Sequence, residues 1–231
     1  RALPAELPSR CGNHKYFLFA GAKVILFLYI TRKKVLFLHF IFNFYFNTLK
    51  NNYLYMKIIL MGYMGSGKST LGKALANAKN IPFIDLDDYI AERENSSIPH
   101  IFKTKGEIYF RKKETEYLQE LLQNPNDFVL ALGGGSPCFG NNISIIKTAD
   151  ATSIYLKYQP KNLALRLIKE KTHRPMITDI NDDELEDFIR KHLFERNPFY
   201  MQADSLITMD NLSEDESLKL LLDKLANEPI I

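Results

Sequence analysis

Gly62-Tyr63-Met64-Gly65-Ser66-Gly67-Lys68-Ser69-Thr70 is the stretch that decides the fold. A glycine, four residues, then Gly-Lys-Ser is the spacing of a phosphate-binding loop. Each residue type has a physical task. The glycines let the backbone turn tightly, so that successive N–H groups face phosphate oxygens. Lys68 has the reach for the β- and γ-phosphates, and the Ser69 hydroxyl is a ligand for Mg²⁺. Gly65, Ser66, Gly67 and Thr70 complete a cradle for a nucleotide triphosphate. The pattern has meaning only between a strand and a helix. Lys57-Ile58-Ile59-Leu60-Met61 reads as a short buried strand, and Leu71-Gly72-Lys73-Ala74-Leu75-Ala76 as the opening of a helix whose N-terminus adds its dipole to the anion site.

Working outward toward the C-terminus, strand and helix signals alternate. Pro82–Asp87 reads as a second strand ending in carboxylates, Tyr89–Glu94 as a short helix and Glu107–Leu122 as a longer one. Asp127–Ala131 is an apolar strand running into Gly133-Gly134-Gly135. Thr152–Leu156 is a fourth strand, Leu163–Ile168 a helix, and Lys169–Asp183 a charged stretch without apolar periodicity. Leu185–Phe194 resumes helix, Ser205–Thr208 is a fifth strand, and Ser213–Asn227 is amphipathic. Five strands alternating with helices predict an α/β fold: a five-stranded parallel sheet between two helical layers.

Outward in the other direction the character changes. Of the 28 Phe and Tyr residues in this chain of 231, 13 lie between Tyr16 and Tyr55. Residues 1–55 carry eight Lys/Arg and one Glu, so the remainder has a net charge of −4 and the basic pI belongs to the leader. Binding of nucleic acid by the domain is therefore not expected. The longest uncharged apolar piece, Val35–Leu49, is 15 residues, short of the roughly 20 that span a bilayer. No small-residue cleavage site follows, so a signal peptide fits poorly, whereas the near absence of acidic residues suits a basic targeting segment, although Ser is scarce. The preferred expectation is that Met56 is the natural start, with residues 1–55 outside the native fold. An anchor or a targeting segment is the alternative. Cys11 and Cys138 suggest no disulfide framework, and a reducing, cytoplasmic compartment is expected.

In a parallel sheet the ligand site lies at the carboxyl ends of the strands. The first strand delivers the phosphate loop there, the second Asp85 and Asp87, the third the triple glycine. Phosphoryl transfer needs positioning, a metal, cationic stabilisation and a group that orients or deprotonates the acceptor hydroxyl. Either aspartate suits metal or hydroxyl. Their i, i+2 spacing points both to one side if the chain is still extended, while a helix N-cap followed by a first-turn acid is the plainer reading. The triple glycine is read as bare backbone for an acceptor to approach. The five histidines form no metal or catalytic spacing, and Cys138 reads as a small buried residue.

From Met56 to Asn227 the motifs, taken in order, resemble those of shikimate kinases, small phosphate-loop kinases of the nucleoside-monophosphate-kinase-like group. The phosphate loop is followed by Asp85-Leu86-Asp87-Asp88-Tyr89-Ile90, then by Ile101-Phe102 and Gly106-Glu107-Ile108-Tyr109-Phe110-Arg111. Gly133-Gly134-Gly135, Arg174-Pro175-Met176 and Arg196-Asn197-Pro198-Phe199-Tyr200 complete the series. The resemblance implies ATP-dependent phosphorylation of the 3-hydroxyl of shikimate, a step of chorismate and aromatic amino-acid biosynthesis, with ATP and shikimate as small-molecule partners. Asp87 would act as base or orienting group, and Asp85 would sit near the Mg²⁺ through water. Arg111 and Arg196 would grip the substrate carboxylate, for which the planar guanidinium is suited. Phe110, Gly133, Gly134 and Gly135 would line the acceptor pocket, with the acceptor region spanning about 87–115. Glu114, three residues after Arg111, would hold its rotamer. Arg174, on a lid spanning about 169–183, would close over the phosphates and stabilise transition-state charge. Arg166 would serve the adenine side. A monomer is expected, as is common for small kinases of this shape, and no membrane role for residues 56–231. Two departures stand out: Met176 where Leu is usual, and Ala131 where some relatives carry Ser.

The nearest rival reading is a gluconate or nucleoside-monophosphate kinase on the same fold. Arg111, Arg196 and the triple glycine favour a small hydroxylated carboxylate instead. A GTPase-type switch needs Asn-Lys-x-Asp, which occurs nowhere in the chain. A membrane-tethered ATP-binding module is disfavoured by the intact Lys68, Ser69, Asp85 and Asp87.

Overall fold

The structure, a computed structural model, describes residues 56–171, 174 and 176–227. The expectations for residues 1–55 and for Pro175 of the lid motif lie outside the described residues. Among these, β1 (Lys57–Met61), β2 (Phe83–Asp85), β3 (Phe128–Ala131), β4 (Thr152–Lys157) and β5 (Ser205–Thr208) form one sheet in the order β2-β3-β1-β4-β5, every pair parallel. Both β1 and β3 are buried along their whole length, as continuous apolar runs covered on two faces must be. At the edge, β5 alternates buried and exposed residues. The predicted three-layer α/β arrangement is what the chain adopts.

Helices α1 (Lys68–Lys79), α2 (Leu86–Arg93), α3 (Ile98–Gln123), α4 (Asn142–Thr148), α5 (Pro160–Ile168), α6 (Asp182–Tyr200) and α7 (Glu214–Asn227) connect and cover the strands. Chain order runs from β1 at the centre out to β2, back through β3 beside β1, and then to β4 on the other side. That reversal opens a crevice at the carboxyl ends of β1, β3 and β4.

Helix α4 has no counterpart in the sequence expectation, and three further elements differ from it. The second strand stops at Asp85; Leu86 begins α2, and Asp85 caps it by accepting from the Asp87 N–H at 3.1 Å. Asp87 is thus a first-turn helical residue, and the extended i, i+2 geometry does not apply. Helix α3 begins at Ile98 rather than Glu107 and bends at Gly106, whose φ of 81° is a left-handed conformation that glycine adopts without a Cβ clash. Helix α6 continues through Pro198 to Tyr200, so Arg196 is an interior helical residue and not a terminal one.

No helix among the described residues is long and apolar enough to cross a membrane.

Candidate active site

The crevice is lined by Gly65, Gly67, Lys68, Ser69 and Thr70 of the phosphate loop, by Asp85 and Asp87, by Gly133 and Gly134, and by Arg166, Glu170 and Arg174. The loop leaves β1 and ends at Gly67, which caps α1 with φ of 82°, a turn a side chain would strain. Lys68 is buried and curls back along the loop: its Nζ donates to the carbonyls of Gly62 and Tyr63, each at 2.9 Å. Burial pushes its ammonium down to about 8, Arg174 adds repulsion, and Asp87 and Asp85 pull the other way. Gly65 is required by space, because a Cβ there would lie 2.8 Å from a Leu167 methyl on α5.

Ser69 and Asp85 meet at the mouth, the hydroxyl donating to Asp85 Oδ2 at 2.7 Å. One carboxylate, used twice, therefore caps α2 through Oδ1 and orients the serine through Oδ2. No group of three or more His, Cys, Asp or Glu side chains suited to a metal occurs among the described residues. A hydroxyl beside one carboxylate, in a phosphate cradle, suits a hard cation that keeps most of its water and takes phosphate oxygens.

Asp87 lies deeper. Burial pushes its carboxyl up to about 6, and Asp85 and Glu114 repel its charge further, against the opposing pull of Lys68 and Arg111. It rests against Gly133: a Cβ on that residue would stand 3.0 Å from Asp87 Oδ1 and 2.9 Å from the Ser136 hydroxyl. The other two glycines answer to the arginines. A Cβ on Gly135 would stand 2.8 Å from Arg111 Nη2, and one on Gly134 would stand 3.8 Å from Arg196 Nη1. The triple glycine therefore does more than bare its backbone. It leaves room for Asp87 and Arg111, which a Cβ on Gly133 or Gly135 would crowd, while Gly134 lies against the Met64 backbone nitrogen with Arg196 in ordinary contact.

Arg111 is anchored by Glu114, which is fully buried: Nη1 donates to Glu114 Oε2 at 2.8 Å. Glu114 also accepts from the Ser136 hydroxyl, and Asn142 ties Ser136 down by donating to its carbonyl at 2.8 Å. Thr115 closes the circuit, donating to Asn142 Oδ1 at 2.7 Å. Ser136 and Asn142 were not singled out in the sequence, since their contacts with α3 lie more than 20 residues away. Arg111 stands beside the rings of Phe110 and Phe139, at 5.2 and 5.9 Å from their centroids. Phe110 is buried and packs on Phe102 at 4.7 Å. Tyr200, the last residue of the Arg-x-x-x-Tyr motif, donates to the Gly134 carbonyl and pins the middle glycine. Cys138 nearby has its thiol pushed up to about 11 by burial, consistent with a packing residue.

Gly135→Ala is expected to displace the Arg111 guanidinium. Charge-assisted hydrogen bonds are worth ~1.5–3 kcal/mol, so acceptor KM should rise about 10- to 100-fold. KM for ATP should be unchanged. Steady-state kinetics with each substrate varied in turn checks this.

The two remaining arginines lie at the crevice that the phosphate loop lines. Arg166 Nε donates to the Gly65 carbonyl at 2.9 Å, and its guanidinium stands over the Tyr158 ring at 5.2 Å. Arg174 pairs with Glu170, four residues earlier, at 2.9 Å. Both line the crevice, whereas Phe110, Arg111, Gly135 and Arg196 sit beyond the glycines and are not part of its lining. Met176 is exposed, so its replacement of Leu disturbs no core.

Comparison with known proteins gives a single answer. The family described as shikimate kinase matches residues 64–226. The shikimate kinase of Flavobacterium johnsoniae is 45% identical over 170 residues, 74% of this chain and 99% of that protein. That of Bacteroides fragilis is 41% identical over 170 residues, covering 74% and 94%. Among solved structures, shikimate kinase from Bacteroides thetaiotaomicron superposes with a TM-score of 0.68 at 39% identity, covering 74% of this chain and 98% of that one. The shikimate kinase of Acinetobacter baumannii, solved in complex with shikimate, gives 0.67 at 30% identity over 78% and 98%.

Proposed function

The chain belongs to the shikimate kinase family, and from that premise we propose how its own residues carry the reaction. It is a kinase that phosphorylates shikimate, with ATP as co-substrate, in aromatic biosynthesis. The observation that carries the residue assignment is the glycine run, against which Asp87, Arg111 and Arg196 converge at the inner end of the ATP crevice.

In the proposed arrangement the β- and γ-phosphates lie on the N–H groups of Gly65–Thr70, and Lys68 exchanges its loop carbonyls for phosphate oxygens. Mg²⁺ would be held by Ser69 directly and by Asp85 through water, and when bound it neutralises charge on the transferring group. Arg111 and Arg196 grip the shikimate carboxylate, and Phe110 packs against the ring. That grip turns the 3-hydroxyl toward Asp87, which orients it and accepts its proton as the hydroxyl oxygen bonds to the γ-phosphorus and the bond from that phosphorus to the β–γ bridging oxygen breaks, releasing ADP. Fixing both reactants removes much of the entropic barrier. Arg174, released from the exposed Glu170, closes over the phosphates, and Arg166 flanks the adenine side. A monomer is proposed, in keeping with small kinases of this shape. The cytoplasm, where ATP is at hand, is the proposed location.

The two perturbed groups set the pH profile. Asp87 must be ionised to accept a proton, so kcat/KM for shikimate should fall as pH drops through about 6. Lys68 must be charged to meet phosphate, so kcat/KM for ATP should fall as pH rises through about 8. Because kcat/KM reports the free enzyme, the acid limb should vanish in Asp87→Asn and the alkaline limb should remain. A profile flat from pH 5 to 9 would remove both assignments.

A further inference from the structure

We propose that Tyr63 is a positioning residue for the acceptor: its ring holds the Arg196 guanidinium at the glycine run and ties it to the phosphate loop. The inference rests on the reading that Arg196 binds the substrate carboxylate.

Tyr63 is the second residue of the loop and only 1% exposed. Its backbone serves the nucleotide side, the carbonyl accepting from Lys68 Nζ at 2.9 Å and from the Ser66 N–H at 3.2 Å. Its side chain serves α6. The hydroxyl lies 3.1 Å from His192 Nδ1, and the His192 ring packs on Phe188 at 4.2 Å. One turn further along α6, the Arg196 guanidinium stands over the Tyr63 ring, 5.5 Å from its centroid.

The two acceptor arginines are therefore held by different chemistry. Arg111 is fixed by carboxylates, Glu114 at 2.8 Å and Glu107 at 3.5 Å. Arg196 has no acidic partner within ion-pair distance among the described residues. A carboxylate takes part of the fork, as at Arg111, where Nη1 goes to Glu114, Nε faces Glu107 and Nη2 is left at Gly135. A ring face attracts the cation through its quadrupole and, apart from the hydrogen bond that Arg196 makes to the Tyr200 hydroxyl, leaves the fork free. Because the same ring is part of the loop that holds Lys68, the cation facing the acceptor and the cation facing phosphate share one rigid mount.

The test is kinetic, on the full chain, with shikimate and ATP each varied at saturation of the other. Tyr63→Phe keeps the ring and should leave shikimate KM within about twofold. Tyr63→Leu should raise it about 3- to 30-fold, the range of a cation–π contact, without changing ATP KM. In Arg196→Ala, the further change Tyr63→Leu should add nothing. Stepwise fluorination of phenylalanine at position 63 keeps shape and burial while draining the ring face, so it remains informative if the leucine variant fails to fold. Shikimate KM should then climb with each fluorine. A flat fluorine series, or equal rises in both KM values, would overturn the proposal while leaving the acceptor reading of Arg196 intact. An Arg196→Ala enzyme with unchanged shikimate KM would overturn both.

Discussion

Asp87→Asn is expected to lower kcat by about 10²- to 10⁴-fold, the usual contribution of a positioned proton acceptor, while ATP affinity holds. Asn keeps the shape beside Gly133 and can still donate and accept hydrogen bonds, so what is lost is the capacity to take a proton. A second effect of the same substitution has the opposite sign. The folded protein holds this carboxyl at about 6 against an ordinary value near 3.8, which means that burying the ionised form opposes folding. The penalty is complete above pH 6, where the group is charged in both states. It fades as pH falls and is gone below the unfolded value, where the group is neutral in both. Asp87→Asn should therefore melt several degrees higher than the parent at pH 8 and at the same temperature near pH 3.5. Gain of stability with loss of turnover is the signature of a strained functional group. Retained turnover would remove Asp87 from the chemistry, and an unchanged melting temperature at pH 8 would contradict its burial as an anion.

Arg111→Ala should raise shikimate KM by about 30-fold to several thousandfold, the range for truncating one partner of a buried hydrogen-bonded charge pair, ~2–5 kcal/mol. ATP affinity should change little, because Arg111 lies beyond the glycines and outside the crevice lining. The alanine variant also leaves Glu114 buried without its cation, which is destabilising by ~3–5 kcal/mol. Arg111→Lys separates the two effects. It returns a charge to Glu114 and restores the fold, but an ammonium cannot reproduce the planar fork toward a carboxylate. The lysine variant should melt like the parent and still bind shikimate weakly. Equal losses for shikimate and ATP, measured by calorimetry, would remove Arg111 from the acceptor site.

The parts of this site legible in the sequence are those set by local geometry. Spacing alone gives the phosphate loop, because the turn, the helix N-terminus and Lys68 all lie within nine residues. Glu114 was legible for the same reason, three residues from Arg111 on one helix face. Asp87 was singled out on an extended geometry, and the chain adopts the plainer alternative, a helix N-cap followed by a first-turn acid. The chain leaves the extended conformation at Asp85, and both acids reach the site because one caps the helix that the other begins. The first half of α3 was missed since Pro99 and Gly106 interrupt its pattern. The left-handed glycine lets two helical pieces read as one bent rod. The short α4, rich in β-branched isoleucine, carries no helical periodicity strong enough to register.

What the sequence could not supply is long-range contact. Gly133, Gly134 and Gly135 looked like bare backbone, yet their lack of side chains is explained by Asp87, Met64 and Arg111 approaching from three other elements. Ser136, Asn142, Tyr63 and Tyr200 act through partners 22 to 129 residues away. No local spacing announces Ser136 or Asn142, and the motifs that contain Tyr63 and Tyr200 do not say what those rings touch.

The most direct measurement is ADP release by the full chain with Mg-ATP, comparing shikimate, gluconate and nucleoside monophosphates, with ³¹P NMR of the product. Release with shikimate alone, and a phosphate ester on the 3-hydroxyl, is the predicted result. Release with gluconate or a nucleoside monophosphate in place of shikimate would contradict the roles given to Asp87, Arg111 and Arg196.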